Sequence, residues 1–302
     1  MKISAFTLIT NPHKFRYAWL ESIKSWLPFV DELVIIDGGS EMWVLDKIKD
    51  LKNSKIRIVS DKYTLWEDDW SYSRMGKNFS RGYHECTGDI VIKFDIDYIV
   101  QCGDNNSEVK KFKEDCDKAV SQNKLIISFC RYKFTILDRY YYKSWRDLAI
   151  NRIACKKTNI SVDYGLSNHK ECRNSWMPIV EEEKKNGVSY GQILDNRNNT
   201  FVSKVKVFNY GFSFSTEEQI KWVRTRHIKA EYKFKGIDVK LNKEDIFKRF
   251  IIGGLHAFNK CNQHPILINE HPAVIQDKIR NLKPNQMGYD LFGELPRSKY
   301  YV

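Results

Sequence analysis

The sequence predicts an α/β protein: a mostly parallel central sheet flanked by helices, followed by a helix-rich, basic C-terminal extension. Three observations carry this reading. Strand and helix patterns alternate over the first hundred residues. The strands are nearly unbroken apolar runs, as a sheet covered on both faces requires. Acidic residues follow three of those strands at their carboxyl ends, where ligands of open α/β sheets bind.

Residues 3–9 read as a buried strand. Asn11-Pro12 then offers a cap and a first-turn proline. Phe15, Ala18, Trp19, Ile23, Trp26, Leu27 and Val30 recur at three- and four-residue steps, which predicts one amphipathic helix. Residues 33–36 form a short strand closed by the turn Asp37-Gly38-Gly39-Ser40. A helix at about 41–52, a strand at 56–59, a helix at about 71–86 and a strand at 90–94 complete a β-α-β-α-β-α-β series. Beyond Tyr98 the pattern loosens. Residues 107–122 predict a helix with Val109, Phe112, Cys116 and Val120 inward, and 125–134 predict a strand. Residues 139–153 are dense in Tyr, Trp and Arg, 202–214 hold one or two strands, and helices follow from Thr216.

The composition, 42% hydrophobic and 14% aromatic over 302 residues, is that of a folded chain and excludes a disordered one. No apolar run is long enough to cross a membrane, and the start reads as a strand rather than a secretory leader. Seven scattered cysteines without a Cys-x-x-Cys fit free thiols in a reducing, cytoplasmic setting. The net charge of +12 is uneven: residues 1–100 carry 14 basic and 15 acidic groups, and the remaining 202 carry +13. That asymmetry points to an anionic partner for the second half, with a solvated basic face as the plain alternative.

The acids at strand ends are Asp37, Asp61 and the pair Asp95-Ile96-Asp97. Where the chain turns, Asp95 and Asp97 can approach one cation. A hard divalent ion (Mn²⁺ or Mg²⁺) on one or two carboxylates, with positions left for phosphate oxygens, suits a diphosphate leaving group.

Three segments resemble the family-2 glycosyltransferases with a GT-A (Rossmann-like) fold. They are Ala5-Phe6-Thr7-Leu8-Ile9-Thr10-Asn11, Leu33-Val34-Ile35-Ile36-Asp37-Gly38-Gly39-Ser40, and Arg74…Asn78…Thr87-Gly88-Asp89-Ile90-Val91-Ile92-Lys93-Phe94-Asp95-Ile96-Asp97. The likeness is good over the first hundred residues and looser to about 215. It implies a catalytic domain at 1–215, with a donor half at 1–100 and an acceptor half at 101–215, and the extension at 216–302. It implies a nucleotide-sugar donor, UDP- or GDP-linked, held by Thr10, Asp37, Asp61, Arg74, Asn78 and Asp95. Asp97 would be the direct metal ligand, and Asp95 would touch ribose or a metal-bound water. Transfer would be inverting, with Asp163 in Ile160-Ser161-Val162-Asp163-Tyr164-Gly165 as the base and Glu171 and Glu181 as rivals. Where similar proteins often carry His-Tyr-Gly this chain has Asn209-Tyr210-Gly211, so His227 or His271 would supply a third metal ligand.

The expected activity is therefore metal-dependent transfer of a sugar to a hydroxyl of a glycan or glycolipid, the latter at a membrane surface. A sharper variant moves the sugar onto hydroxymethylated bases of viral DNA, in a host cytoplasm, motivated by the basic second half. A non-catalytic nucleic-acid-binding protein is the alternative of another class, and it leaves the ordered acids without a role. A nucleotidyltransferase needs a Gly-rich basic loop after the first strand, and a dinucleotide enzyme needs Gly-x-Gly-x-x-Gly there. Thr10-Asn11-Pro12-His13-Lys14 supplies neither.

Overall fold

The computed structural model describes residues 1–60, 72–143, 148–163, 179–180, 197–234, 236–237 and 242–292. The α/β architecture expected from the sequence is present. Strands β1 (Ile3–Ile9), β2 (Glu32–Asp37), β3 (Ile56–Ser60) and β4 (Ile90–Lys93) form a parallel block in the order β3-β2-β1-β4. Helices α1 (Trp19–Trp26), α2 (Met42–Lys49) and α3 (Tyr72–Glu85) connect them. Alternation along β1 shows why both faces are covered. Ile3, Ala5 and Ile9 pack with Trp19, Ile23 and Trp26 of α1, whereas Phe6 packs on the opposite face with Phe79 and Tyr83 of α3. A Cβ on Gly82 would lie 2.4 Å from the Phe6 ring, so only glycine lets α3 approach β1 this closely.

The helix expected across residues 15–30 is interrupted. Pro12–Phe15 is a 3₁₀ turn, α1 spans only Trp19–Trp26, and a second 3₁₀ turn at Leu27–Phe29 carries Pro28. Asn11 does not cap a helix with its side chain. It takes a left-handed conformation, and its Oδ1 accepts the Glu41 amide instead, at 2.8 Å.

Beyond β4 the sheet curls and becomes mixed. Strands β5 (Tyr98–Val100), β6 (Ile126–Phe134), β7 (Arg139–Lys143), β8 (Leu148–Asn151) and β11 (Thr200–Asn209) join it. β8 pairs antiparallel with both β4 and β6, and β6 with β7, whose four-residue connection permits no other direction. β11 runs parallel to β6 and antiparallel to β5. Helix α4 (Ser107–Ser121) covers one face through Phe112 and Cys116, and α5 (Arg152–Lys157) covers the other through Ala154 and Cys155. The two-residue strands β9 (Val162–Asp163) and β10 (Ile179–Val180) pair separately.

Helices α6 (Glu217–Phe234), α7 (Lys243–Lys260), α8 (Ala273–Arg280) and α9 (Met287–Asp290) follow. Between α7 and α8, strand β12 (Gln263–Pro265) pairs with β7 at the sheet edge. Ile275 and Ile279 of α8 pack with Phe134, Phe208 and Tyr210, so this segment shares a core with the sheet. The cysteines among the described residues are free thiols, and no described helix is long and apolar enough to cross a membrane.

Candidate functional site

The carboxyl ends of the parallel neighbours β1, β2 and β4 lie at one edge of the sheet, and the loops after β1 and β2 are fastened together by main-chain and Asx-type contacts. The Gly38 amide donates to Ile9 O at 2.9 Å, the Asn11 amide to Ser40 Oγ at 3.1 Å, and the Ser40 amide to Asp37 Oδ1 at 2.9 Å. One oxygen of Asp37, which is buried, thus caps its own turn. The Thr10 hydroxyl turns back onto Ile9 O at 2.7 Å. Asp61 lies outside the described residues. Arg74 is on α3, one turn ahead of Asn78, and its side chain is outside the described set. Asn78 is 4% exposed, and its Nδ2 is a buried donor with no hydrogen-bond partner among the described residues.

The pair Asp95 and Asp97 follows β4, and helix α1 braces it from below. Ser22 Oγ and Trp26 Nε1 both donate to Tyr98 O, at 2.5 and 3.2 Å, and the Val100 amide donates to Ser25 Oγ. The Tyr98 amide closes the turn on Asp95 O at 2.9 Å, and the Tyr210 amide reaches Asp97 O at 3.3 Å. These contacts fix the loop before any ligand arrives. This bracing has no signature in the residue pattern, because Ser22 and Ser25 read as ordinary helix residues.

Lys93 is a further residue that sequence reasoning passed over. It is the one cation in an otherwise aliphatic buried strand, and its Nζ lies 2.6 Å from Asp95 Oδ1 and 4.7 Å from the centre of the Phe79 ring. Same-face spacing at i and i+2 was the available signal. Burial raises the Asp95 carboxyl, but the Lys93 ammonium, together with Arg131 and the Tyr98 hydroxyl, holds the group below its usual value. Asp97 is pushed up to about 7, first by burial and then by the Asp95 charge.

The end of β11 meets Asp97. Gly211 has φ +43, and a Cβ built there would lie 3.4 Å from Asn209 Oδ1 and 3.9 Å from Asp97 Oδ2. These two oxygens therefore border one small space, which the glycine leaves open. On the far side Arg224 sits over the rings of Phe212 and Phe250, at 4.8 and 4.2 Å. The Tyr17 hydroxyl is raised by burial and then by the Asp97 charge, which places Tyr17 within electrostatic reach of the acid pair.

The histidines proposed as extra ligands sit elsewhere in the network. His271 is 1% exposed, with Nδ1 2.8 Å from the Tyr210 hydroxyl and Nε2 2.9 Å from Leu137 O, so both ring nitrogens are already used. His227 lies on α6, lowered to about 4 by burial and by Arg224 and Arg226. No group of three His, Cys, Asp or Glu suited to a metal ion occurs among the described residues. Asp163 is placed by its backbone in β9, opposite Ile179, and its side chain is outside the described set, as are Glu171 and Glu181.

No protein-family model matches the chain, and no curated protein matches it. Solved structures of similar shape include residues 1–349 of TarS from S. aureus, at 13% identity, covering 93% of this chain and 79% of that one with a TM-score of 0.44. The same TarS fragment in complex with UDP-GlcNAc matches at 12% identity over 85% of this chain and 73% of that one, with a TM-score of 0.44. The mannosyltransferase PcManGT from Pyrobaculum calidifontis, in complex with GDP-Man and Mn²⁺, matches at 9% identity over 85% and 72%, with a TM-score of 0.43.

Proposed function

We propose that the protein is a nucleotide-sugar-dependent glycosyltransferase that uses a divalent cation. The observation that carries this reading is the acid pair Asp95 and Asp97 at the carboxyl end of β4, braced by α1 and adjoining the fastened turns of β1 and β2. A site at this edge of a parallel sheet, with carboxylates but no Gly-rich phosphate loop, suits a ligand whose diphosphate reaches the protein through a metal. The donor set fits such an ion: Asp97 Oδ2 and Asn209 Oδ1 border one space, and two carboxylates leave positions for phosphate oxygens. Asp97 would hold Mn²⁺ or Mg²⁺, which when bound neutralises charge developing on the departing diphosphate.

The chain's own residues would do the rest. Asp37, Thr10 and the β1 and β2 turns would receive the nucleoside, and Asp61 and Arg74 would stand beside it. Asn78, with its unpaired amide, would donate to the donor's phosphates or sugar. Asp163 would take the proton from the acceptor hydroxyl, in an inverting displacement. His227, the candidate third ligand, lies on α6 and feels the charges of Arg224 and Arg226, which disfavour a further cation there. The acceptor class in this reading is a glycan or glycolipid hydroxyl. Duplex binding that weakens steeply with salt would move the acceptor to modified DNA.

The test is a panel of UDP-, GDP- and TDP-sugars with Mn²⁺ or Mg²⁺, scored by thermal shift and slow donor hydrolysis. Stabilisation by one nucleotide only when metal is present is the expected result. No response to any donor would overturn the site assignment.

A further inference from the structure

We propose that Lys93 is a positioning residue that holds Asp95 away from the cation, so that Asp97 alone of the two acids ligates it directly. This inference rests on the metal-dependent reading above and sharpens it.

The argument starts with β4, where Ile90, Val91 and Ile92 are fully buried and Lys93 is 8% exposed. An ammonium is costly to bury unless a carboxylate pairs with it, and here the partner is Asp95, two residues on and on the same face. The aliphatic stem is fixed by the Phe79 ring, over which the ammonium lies. Asp95 also accepts from the Tyr98 hydroxyl, and that hydroxyl in turn takes a hydrogen bond from Arg131, whose guanidinium lies 5.3 Å from the Tyr98 ring centre. Asp95 is thus held by two donors, with its side chain still 38% exposed. Asp97 has no ion pair among the described residues, and its Oδ2 borders the space beside Gly211. Two acids that follow the same strand are therefore unequal. One is paired with a buried ammonium, the other carries no ion pair among the described residues, and the trio Lys93, Asp95 and Asp97 presents one net negative charge rather than two.

The consequence is a sign that structural damage does not produce. Lys93→Met removes a positive charge beside the site and frees Asp95 to turn toward the metal, so Mn²⁺ should bind about tenfold more tightly. Metal-dependent nucleotide stabilisation and turnover should fall in the same variant, because the donor's neighbours have moved. Asp95→Asn leaves the ammonium uncompensated next to Asp97 and should weaken Mn²⁺ about tenfold. The double variant Lys93→Met/Asp95→Asn removes a mutually neutral pair and should bind Mn²⁺ within about threefold of the unaltered chain. It buries no lone charge, so it keeps the test open if Lys93→Met alone does not fold.

The experiment is a titration of the whole chain with Mn²⁺ alone, read from the electron paramagnetic resonance signal of the free ion. Tighter binding in Lys93→Met and near-unaltered binding in the double variant support the proposal. A double variant that loses Mn²⁺ as completely as Asp97→Asn overturns it, because Asp95 would then be a direct ligand. Unchanged or weaker binding in Lys93→Met also overturns it. No Mn²⁺ binding by the unaltered chain overturns the metal-dependent reading itself, and this inference with it.

Discussion

The two halves of the sheet dispose of their charges in different ways. In the parallel half, β3-β2-β1-β4, charges meet other charges or cap turns: Glu32 pairs with Arg57 near the amino ends, Asp37 caps a turn and Asp95 pairs with Lys93 at the carboxyl ends. In the mixed half cations lie over aromatic rings, Arg131 over Tyr98, Lys133 over Tyr141 and Lys206 over Tyr132, and in the helices beyond it Arg224 lies over Phe212 and Phe250; Lys93 over Phe79 is the counterpart in the parallel half. Each such contact contributes about 0.5–2 kcal/mol and takes a cation partly out of water. A share of the basic excess of the later residues is therefore used in packing. A charge count along the sequence cannot separate that share from a surface that recruits an anion.

The sharpest way to break this contrast is at the acid pair. Asp97→Asn should lower turnover by roughly 10²–10³-fold and abolish metal-dependent nucleotide stabilisation, while urea denaturation without metal shows little change. An unaltered metal response would show that the parallel half's charges serve folding alone. Asp163→Asn should cut turnover by about 10²-fold or more and spare donor binding, as judged by thermal shift with nucleotide. Retained turnover would take Asp163 out of the mechanism.

Trp26 tests how the halves are joined. Its ring stacks on Phe94 at 5.1 Å, meets Phe129 edge-on at 6.0 Å, and donates to the Tyr98 carbonyl. Trp26→Ala should cost about 3–5 kcal/mol in urea denaturation and loosen the acid pair as well, seen as weaker Mn²⁺ binding. Loss of stability with unaltered Mn²⁺ affinity would mean that the bracing from α1 is dispensable.

A smaller effect separates the halves by pH. His271, packed against Phe134 and Tyr210 in the mixed half, is lowered to about 4 by burial. The unfolded chain takes up this proton below about 6.5 and the folded chain only near 4, so stability is intact above 6.5 and declines as pH falls between those values. The loss should approach roughly 3 kcal/mol. Denaturation midpoints measured from pH 7 to 4, beside His271→Asn, check this; equal slopes in both proteins would remove His271 as the cause. At the bottom of the scale, Val202→Thr on β11, 64% exposed, should change stability by less than about 0.5 kcal/mol.

Much of the parallel half was legible because its signals are local. Apolar runs and their terminal acids located β1, β2, β3 and β4 to within a residue or two, and β4 led directly to Asp95 and Asp97. Failures occurred where a residue's partner is distant in sequence. Asn11 reads as a helix cap, but its side chain serves the Glu41 amide thirty positions away. His271 reads as a spare ligand until Tyr210 and Leu137 are seen on its two nitrogens. The continuous stripe from Phe15 to Val30 hides a break, since hydrophobic spacing persists through 3₁₀ turns that bury the same face. Lys93 does have a local signal, a lone cation in a buried strand two places before an acid, but its partner ring, Phe79, lies on a helix fourteen positions earlier.

Strand β12 carries a consequence for how the chain reaches its folded state. Its three residues cover the outer edge of β7, and the last of them is Pro265, which has no amide hydrogen to offer a further strand. During synthesis the edge of β7 exists long before residue 263 emerges, so the nascent sheet passes through a period with an adhesive border. A chain cut just before Gln263 would leave that border open permanently and would also lose Ile275 and Ile279 from the core they share with the sheet. Its characteristic fault would be self-association into aggregates during expression.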